Sequence, residues 1–584
     1  MVRWLVALAL WGSIVRAWQS QCEGFTLNHT GVEVVNARYY PVGSELNFTD
    51  SGGAIWDPAQ RLSAVRVSLR ITTNSTANSS ANSEVFLPDD WNARVLGTGN
   101  GGLNGMLDYA TMTFDGMARR YASFGTDTGH QSDANTGTWA LHNDNAIVDY
   151  TYRAFHLTVQ AAKNVVQAYY GRAGSRSYYL SCSTGGRQGL REAQQYPEDF
   201  DGVVVGAPAN YMAALQAFGI HVGQELLPNT SSRYISETTW SVIHDEVLRQ
   251  CDMIDGVKDG VLTDPRDCHP ASVSKVQKSR VKSVRVQAVP GTTNTTACLN
   301  ADQINALNNI YRDYVLGNDT FVFAPLEPGG EALYYGTYAD VFFPIATSYY
   351  DNFVLKWVIS PNGSHGTRRM RIGTNGGVSS DKDSTTGFNY SNFGYEQYQQ
   401  ALDIDPGYGI HPPIRYLYCN GTHAPQPGRV VHTQHHRLRF ARREDPAIDP
   451  IIPPGQSIRY FESVQAFTKT QTEMDPDDFY RLFMVPGMGH CGGGPGAAAF
   501  GNSGQRPLNP PSSDDPTHDV LSAMVEWVEN GLAPSEIIGT KWVNDNVSHG
   551  EAFSRKLCSY PLTAFYDGGN QTSADSFHCG LTRW

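Results

Sequence analysis

The sequence predicts an α/β layer fold, because strand-like and helix-like segments alternate along two separate stretches of the chain. The first stretch begins near residue 94 and contains the continuous apolar run FDGVVVGAPA, residues 200–209. The second begins near residue 413 and contains the run YRLFMVPG, residues 480–487. Short apolar runs of this kind are typical of strands buried on both faces of a parallel sheet. We therefore expect one sheet covered by helices.

The segments of the first stretch follow one another in a regular order. YRAFHLTVQAAKNVVQAYYG, residues 152–171, has the apolar spacing of a helix, and RSYYLSCS, residues 176–183, reads as the next strand. GGRQGLREAQQYP, from residue 185, then begins another helix. Upstream, the alternating runs SAVRVSLRI and SEVFLP predict a peripheral β layer.

The alternation stops between about residues 210 and 412, where longer loops, short helices and aromatic clusters predominate. It resumes with the strand-like PIRYLYCNG at residue 413, the helix-like SIRYFESVQAFT at 457 and the helix-like HDVLSAMVEWVENG at 518. The simplest interpretation is a single α/β domain, residues 18–210 and 411–584, that is interrupted by an insertion at 211–410.

The first residues and the cysteine content predict secretion. Residues 1–17, MVRWLVALALWGSIVRA, place Arg3 before an apolar run and small residues before a cut after Ala17, as a secretory signal does. The sequence also has a high density of N-x-S/T glycosylation sites and nine cysteines, which in an oxidising compartment favour several disulfides. The formal charge of −13 argues against nucleic acid and anionic membranes as partners.

Ser183 lies in the turn SCSTG, between a predicted strand and a predicted helix. An α/β hydrolase carries its nucleophile on such a turn, usually written G-x-S-x-G, although here Ser181 replaces the first glycine. An ordinary serine cap of the following helix would explain this segment equally well if it were considered alone.

The segment FMVPGMGHCGGG supports the catalytic interpretation, because it presents His490 on a glycine-rich loop after a strand. If Cys182 and Cys491 are bonded, Ser183 and His490 lie within roughly 15 Å of each other. The alternative, in which Cys182 is itself a reactive thiol, is disfavoured by the oxidising compartment.

Four segments together resemble the fungal tannase and feruloyl esterase family: CSTGG, PEDFDGVVVGAPA, DPIIPP and RLFMVPGMGHCGGG. The resemblance implies a secreted enzyme with the α/β-hydrolase fold, in which residues 211–410 form a lid domain. It further implies that Ser183 is the nucleophile, that His490 is the base, and that Cys182 and Cys491 form a disulfide beside them.

The acid of the family precedes an Ile-Pro-Pro segment, which assigns Asp449 to orient the imidazole, with Asp445 as the second candidate. The family's short His-Gly-x-x-Asp run is not matched here, because a basic, His-rich stretch stands in its place. Its histidines, His432, His435 and His436, could be metal ligands, but a solvated loop is the better interpretation without a carboxylate or cysteine at ligand spacing.

Two further features concern the oxyanion and a metal. The N–H groups of Thr184 and of Gly101 or Gly102, in GTGNGGLNG, are candidates for an oxyanion hole, although a plain glycine turn would look the same. The segment CDMIDGVKDGVLTDPRDC spaces three aspartates closely, as a loop that binds a hard cation does. Cys251 and Cys268, at its two ends, are available to close it with a disulfide.

In the family that the chain resembles, this loop binds structural Ca²⁺. The resemblance places the ligands on the carboxylates of Asp252, Asp255 and Asp259 and on the carbonyls of Val257 and Val261. It also implies a disulfide between Cys558 and Cys579, whereas Cys22, Cys298 and Cys419 have no assigned partner. We expect no organic cofactor.

The resemblance implies acyl transfer to Ser183 and hydrolysis of phenolic-acid esters, with feruloyl esters of cell-wall oligosaccharide favoured over the galloyl esters of a tannase. An inactive relative that binds phenolic glycans is the alternative from another class. Aromatic residues of the insertion could stack on a phenolic ring, although most are expected to form its own core: Tyr334, Tyr335, Tyr338, Phe342, Phe343 and Trp357. The resemblance is compatible with a homodimer.

Overall fold

A computed structural model of the chain describes residues 22, 24–44, 46–48, 54–56, 63–270, 299–317, 319–338, 340–356, 388–403, 429–433, 448–471 and 474–581. Several predictions concern residues outside this set, namely the signal segment 1–17, the strand at PIRYLYCNG, Asp445, His435, His436, Trp357, Cys298 and Cys419.

The strands of the described chain are, in order, β1 Val32–Tyr40, β2 Leu46–Phe48, β3 Ala54–Trp56, β4 Ala64–Asn74, β5 Ser79–Pro88, β6 Arg94–Gly97, β7 Ala122–Thr126, β8 Arg176–Cys182, β9 Gly202–Gly206, β10 Tyr314–Leu316, β11 Thr320–Phe323, β12 Arg429–Thr433, β13 Tyr480–Phe483, β14 Glu536–Trp542, β15 Glu551–Cys558, β16 Thr563–Tyr566 and β17 Phe577–Gly580. Within the described residues, nine of them form one sheet in the order β1-β4-β5-β7-β6-β8-β9-β12-β13.

The helices are α1 Asp144–Val148, α2 Ala154–Tyr170, α3 Thr184–Gln195, α4 Met212–Leu226, α5 Glu237–Cys251, α6 Ala301–Ile310, α7 Glu331–Tyr338, α8 Pro344–Tyr349, α9 Tyr395–Asp403, α10 Gly455–Gln471 and α11 Val520–Asn530. Short π-helical turns precede α2 and follow α8, at Asp149–Arg153 and Tyr350–Val354.

The sheet is mixed, and its parallel part carries the predicted buried strands. Strands β7, β6, β8, β9, β12 and β13 pair in parallel, whereas β1, β4, β5 and β7 pair antiparallel. The runs SAVRVSLRI and SEVFLP are strands at the periphery, which confirms that part of the prediction, but they are not a layer of their own, because they extend the main sheet at one edge. They do so because helix α2 packs on β4, β5 and β7 alike and buries their apolar side chains together.

Side chains of the central strands alternate between two cores, which confirms the α/β prediction. Tyr179, Val203 and Val205 pack on one face with α2, α3 and α10. Leu180 and Val204 pack on the other face with α11. Successive residues of a strand point to opposite faces, so a continuous apolar run is what a sheet covered on both sides requires.

One inner strand, next to the edge strand β13, comes from the His-rich stretch that was predicted to be a loop. Strand β12 pairs with both neighbours, since Val430 lies opposite Val203 of β9 and Tyr480 of β13. The loop interpretation of His432 is therefore wrong. Only the pair Val430–Val431 is apolar in this strand, and the basic and polar residues around it hid the pattern.

The described residues between 212 and 403 are mostly helical, and they form one hydrophobic core together with residues of the rest of the chain, namely Leu103, Ala140, Ile147, Tyr150, Ala209 and Ile452. Tyr334, Tyr338 and Phe343 are buried in this core, and Tyr335 and Phe342 pack against it. These aromatic side chains thus serve the core of the insertion, as expected. The boundaries of the insertion and its position as a lid remain predictions.

The last part of the chain forms two hairpins, β14–β15 and β16–β17, which a disulfide between Cys558 and Cys579 connects. No helix of the described residues is both long enough and apolar enough to cross a bilayer.

Candidate active site

Ser183 occupies a sharp turn between β8 and α3 with φ 62° and ψ −125°, a conformation that residues other than glycine rarely adopt. Three backbone hydrogen bonds hold it, because Ser183 N donates to Gly206 O at 3.0 Å, and Arg187 N and Ala209 N each donate to Ser183 O at 3.0 Å. Gly186 permits the tight turn, since a Cβ there would lie 2.5 Å from Gly206 O. The Ser183 side chain does not cap helix α3, so the simple capping interpretation does not apply.

The three residues predicted to be catalytic lie together. His490 Nε2 is 3.0 Å from Ser183 Oγ, and His490 Nδ1 is 2.9 Å from Asp449 Oδ2. With Nδ1–H donating to the carboxylate, Nε2 is the acceptor that faces the serine hydroxyl. A chain of this kind can remove the serine proton during attack on an acyl carbon.

Asp449 is held in place by the loop that carries it. The residue is 2% exposed, and its Oδ1 accepts hydrogen bonds from the N–H groups of Ile451 at 2.9 Å and Ile452 at 3.0 Å. The other oxygen thus remains directed at His490. Asp445, the second candidate, lies outside the described residues.

A disulfide joins the two loops of this site. Cys182 and Cys491 are bonded across 309 residues of sequence with their Cα atoms 6.0 Å apart. Each cysteine is adjacent in sequence to a member of the triad, so the sulfur atoms are structural and Cys182 is not a free thiol. Cys251 and Cys268 are also bonded, so all three disulfides have the partners that the sequence analysis gave them.

The glycine loop considered for the oxyanion hole lies against the start of α3. Gly185 N donates to Asn100 O at 2.7 Å, and Thr184 Oγ1 donates to Gly102 O at 2.8 Å. Gly102 has φ +53°, and a Cβ there would lie 2.6 Å from Ala134 O. The N–H of Gly101 points to Asn104 Oδ1 at 3.4 Å. The loop is therefore beside the nucleophile, and the oxyanion role of Thr184, Gly101 and Gly102 remains a prediction.

Two buried polar groups near the triad were not identified as such from the sequence. Both side-chain amide atoms of Asn210, which follows Ala209, have no hydrogen-bond partner within the described part of the chain. The hydroxyl of Tyr338 has none there either, and burial together with the Asp449 carboxylate raises the pKa of Tyr338. The only sequence signal for Asn210 was its position after the strand β9, at the carboxyl edge of the sheet.

The aspartate loop folds tightly between Cys251 and Cys268, with Gly256 at φ +91° and Gly260 at φ +75°. Asp252 Oδ1 accepts from Gly260 N at 2.8 Å, and Asp259 Oδ2 pairs with Arg555 Nη2 at 2.6 Å. Burial raises the pKa of Asp255 to about 6.

The donor set of this loop consists of oxygen atoms alone, with carboxylates from Asp252, Asp255 and Asp259 and carbonyls from Val257 and Val261, which suits Ca²⁺. In the described chain, however, the only three His, Cys, Asp or Glu ligand atoms within 4.8 Å of one another belong to His156, Glu192 and Asp199. Calcium binding by the aspartate loop therefore remains a prediction.

Comparison with known proteins places this arrangement in context. Residues 64–580 match the family model described as tannase and feruloyl esterase. Over 569 residues, the chain is 32% identical to the probable feruloyl esterase B-2 of Aspergillus terreus, and the match covers 96% of this chain and 95% of that protein.

Two solved structures are similar over nearly the whole length. An esterase from Aspergillus oryzae has a TM-score of 0.79 and 29% identity, with coverage of 96% of this chain and 100% of that one. Feruloyl esterase B from Aspergillus oryzae has a TM-score of 0.78, 28% identity and the same coverage, 96% and 100%. The similarity thus extends over the sheet, the insertion and the loops of the triad.

Proposed function

We propose that this chain, which belongs to the tannase and feruloyl esterase family, hydrolyses feruloyl and other hydroxycinnamoyl esters of plant cell-wall polysaccharide. Proteins of this family are carboxylic ester hydrolases. The observation that carries the proposal is the hydrogen-bonded chain from Ser183 through His490 to Asp449.

In the proposed reaction, Ser183 Oγ attacks the ester carbonyl while His490 Nε2 accepts the hydroxyl proton. Asp449 keeps the proton of the imidazole on Nδ1 and stabilises the positive charge that His490 acquires. His490 then donates its proton to the leaving sugar alcohol, which departs and leaves an acyl-serine. Water, deprotonated by His490, releases the phenolic acid and regenerates Ser183.

The oxyanion of the tetrahedral intermediate would be stabilised by the N–H of Thr184 and by an N–H of the loop at Gly101 and Gly102. What supports this assignment is the position of the loop, because the Thr184–Gly102 and Gly185–Asn100 hydrogen bonds fix the loop beside the nucleophile. Donors fixed in advance stabilise the developing charge without reorganisation.

Two alternatives differ in substrate or in class. A tannase would use the same triad on galloyl esters, and the family description names both activities. An inactive binder of phenolic glycans was suggested by the missing His-Gly-x-x-Asp run. The 2.9 Å contact between Asp449 and His490 supports the enzyme over this binder, because the acid reaches the imidazole without that run.

We further propose that the protein is secreted, glycosylated and stabilised by one structural Ca²⁺ in the aspartate loop. Secretion is supported by the signal-like residues 1–17 and by three disulfides. Glycosylation is supported by the N-x-S/T sites at Asn28, Asn229 and Asn570, whose side chains are exposed. A homodimer is compatible with these features.

The test is hydrolysis of methyl ferulate and methyl gallate by the wild type, Ser183→Ala and Ser181→Ala. We expect ferulate release by the wild type, loss of release in Ser183→Ala, and most of the activity in Ser181→Ala, which deletes a hydroxyl two residues away. Release of gallate alone would favour the tannase. Release of neither acid by correctly processed protein would favour the binder.

A further inference from the structure

A second cluster of ionisable side chains lies behind the triad, at the far end of the nucleophile helix. It consists of His156 of α2, Glu192 in the last turn of α3 and Asp199 in the connection to β9. One ligand atom from each lies within 4.8 Å of the other two. Glu192 is nine residues beyond Ser183, about 13 Å along a helix, so the cluster does not belong to the ester-hydrolysis site.

The imidazole of His156 is fixed with Nδ1 directed at the carboxylates. Nδ1 is 2.6 Å from Asp199 Oδ2, and the Gln160 side-chain amide lies 2.8 Å from His156 Nε2. A metal ion on Nδ1 requires the ring proton on Nε2, and a half-turn of the amide then presents Gln160 Oε1 as its acceptor. The ring of Tyr196 stacks on the imidazole at 3.6 Å. These contacts orient the ring before any ligand binds.

Glu192 supplies the observation that points to a ligand. Its side chain is 1% exposed, and its Oε2 has no hydrogen-bond partner among the described residues. That oxygen lies 4.0 Å from His156 Nδ1, so it faces the same small space as Asp199 Oδ2. A buried carboxylate oxygen without a hydrogen bond is costly, and it is compensated by a cation, by a new hydrogen bond or by protonation.

Burial and the neighbouring Asp199 carboxylate raise the pKa of Glu192 well above its usual value. The Arg191 and Lys163 cations oppose this rise in the pKa of Glu192 without cancelling it, and the Lys163 ammonium donates to the backbone carbonyls of Asp199 at 2.5 Å and Glu198 at 3.2 Å. Without a metal ion, a proton on Glu192 would therefore compensate the second carboxylate.

We propose that His156, Glu192 and Asp199 bind a first-row transition metal ion, represented here by Zn²⁺. One imidazole nitrogen and two carboxylate oxygens are ligands that Zn²⁺ accepts, whereas Ca²⁺ binds a larger set of oxygen atoms. The His156 side chain is 17% exposed, which leaves water access to the remaining coordination position. Such an ion would join α2, α3 and the connection to β9, and would stabilise the fold rather than the reaction.

The experiment measures zinc binding by calorimetry and the zinc-induced change in Tm, on protein that has been stripped with a chelator and returned to buffer with excess Ca²⁺. We expect the wild type to bind a single Zn²⁺ ion per chain with a saturable rise in Tm of about 2 °C. Glu192→Gln and Asp199→Asn, which keep the side-chain size, should lose both responses relative to their own metal-free Tm.

A matched control separates this site from surface binding. His578 makes an exposed pair with Asp567, also at 2.6 Å from Nδ1 to a carboxylate oxygen. Zinc binding should persist in His578→Gln. No binding by the wild type would overturn the proposal and leave a proton-sharing carboxyl pair. Binding that survives in Glu192→Gln, or that disappears in His578→Gln, would overturn it in favour of an adventitious ion only.

Discussion

Replacing Asp449 with asparagine tests the role of the acid without removing its packing. Asp449 Oδ1 accepts from the N–H groups of Ile451 and Ile452, and an asparagine oxygen can accept the same two bonds. Its NH₂ group would then take the place of Oδ2, which lies 2.9 Å from His490 Nδ1. The substitution therefore keeps these two hydrogen bonds and changes the donor and acceptor pattern at the imidazole.

Two donors cannot face each other, so the imidazole of Asp449→Asn must carry its proton on Nε2. That nitrogen lies 3.0 Å from Ser183 Oγ and, once protonated, cannot accept the hydroxyl proton. In a triad of this kind the wrong tautomer lowers kcat by about 10⁴-fold, which corresponds to about 5 kcal/mol of transition-state stabilisation. We expect KM to change little, because ground-state binding does not require the tautomer.

The assay is steady-state hydrolysis of methyl ferulate by Asp449→Asn and Asp445→Asn, with urea unfolding to verify that both variants are folded. Asp445→Asn is the matched control, since it neutralises the second candidate four residues upstream. The reasoning is refuted if folded Asp449→Asn retains more than about a tenth of the wild-type kcat. Loss of activity in Asp445→Asn instead would move the acid to that residue.

Three further predictions concern stability. Replacing both Cys182 and Cys491 with serine should lower the free energy of unfolding by up to about 5 kcal/mol, because the bridge spans 309 residues. The double substitution should also lower kcat. An unchanged kcat on methyl ferulate would contradict the role of the disulfide in positioning His490 beside Ser183. In protein stripped of transition metals and reloaded with Ca²⁺, EDTA should lower the Tm of the wild type but not that of Asp255→Asn, because only the wild type then holds an ion. Equal melting curves would count against the calcium loop. Burial lowers the pKa of His130 to about 4, below its usual 6.5. The stability that neutral His130 gives above pH 6.5 is therefore lost as the pH falls towards 4, by at most about 3 kcal/mol, and urea unfolding of His130→Gln should show a flatter pH dependence than the wild type.

The parallel core of the sheet was predictable because its residues are buried on both sides. Val203, Val204 and Val205 face two different cores in alternation, so the sequence shows an unbroken apolar run. Strand β12 could not be found in this way, because only Val430 and Val431 stand out from basic and polar neighbours. Its pairing with β9 and β13 is decided by the tertiary fold.

The site was predictable where its residues are adjacent in sequence to cysteines. Ser183 and His490 each stand beside a cysteine, and that pattern, together with the family resemblance, was enough to predict that their loops lie side by side. The partner set of Glu192 could not be found, since His156 and Asp199 come from other elements and no spacing links the three. Likewise, the buried amide of Asn210 is visible only once its surroundings are known.

The disulfide beside the triad explains how a glycine-rich loop can carry a catalytic base. Ser183 and Cys491 both have positive φ, 62° and 63°, which costs about 1–3 kcal/mol for a residue other than glycine and persists only where the surroundings enforce it. For Ser183 the enforcing contacts are its backbone hydrogen bonds with Gly206, Arg187 and Ala209. Three glycines follow Cys491, so this loop has few side chains of its own to pack. The loop is therefore restrained by the disulfide to Cys182 and by a hydrogen bond of 3.2 Å from Asn502 Nδ2 to Cys491 O, rather than by side-chain packing. These two interactions keep His490 in reach of Ser183.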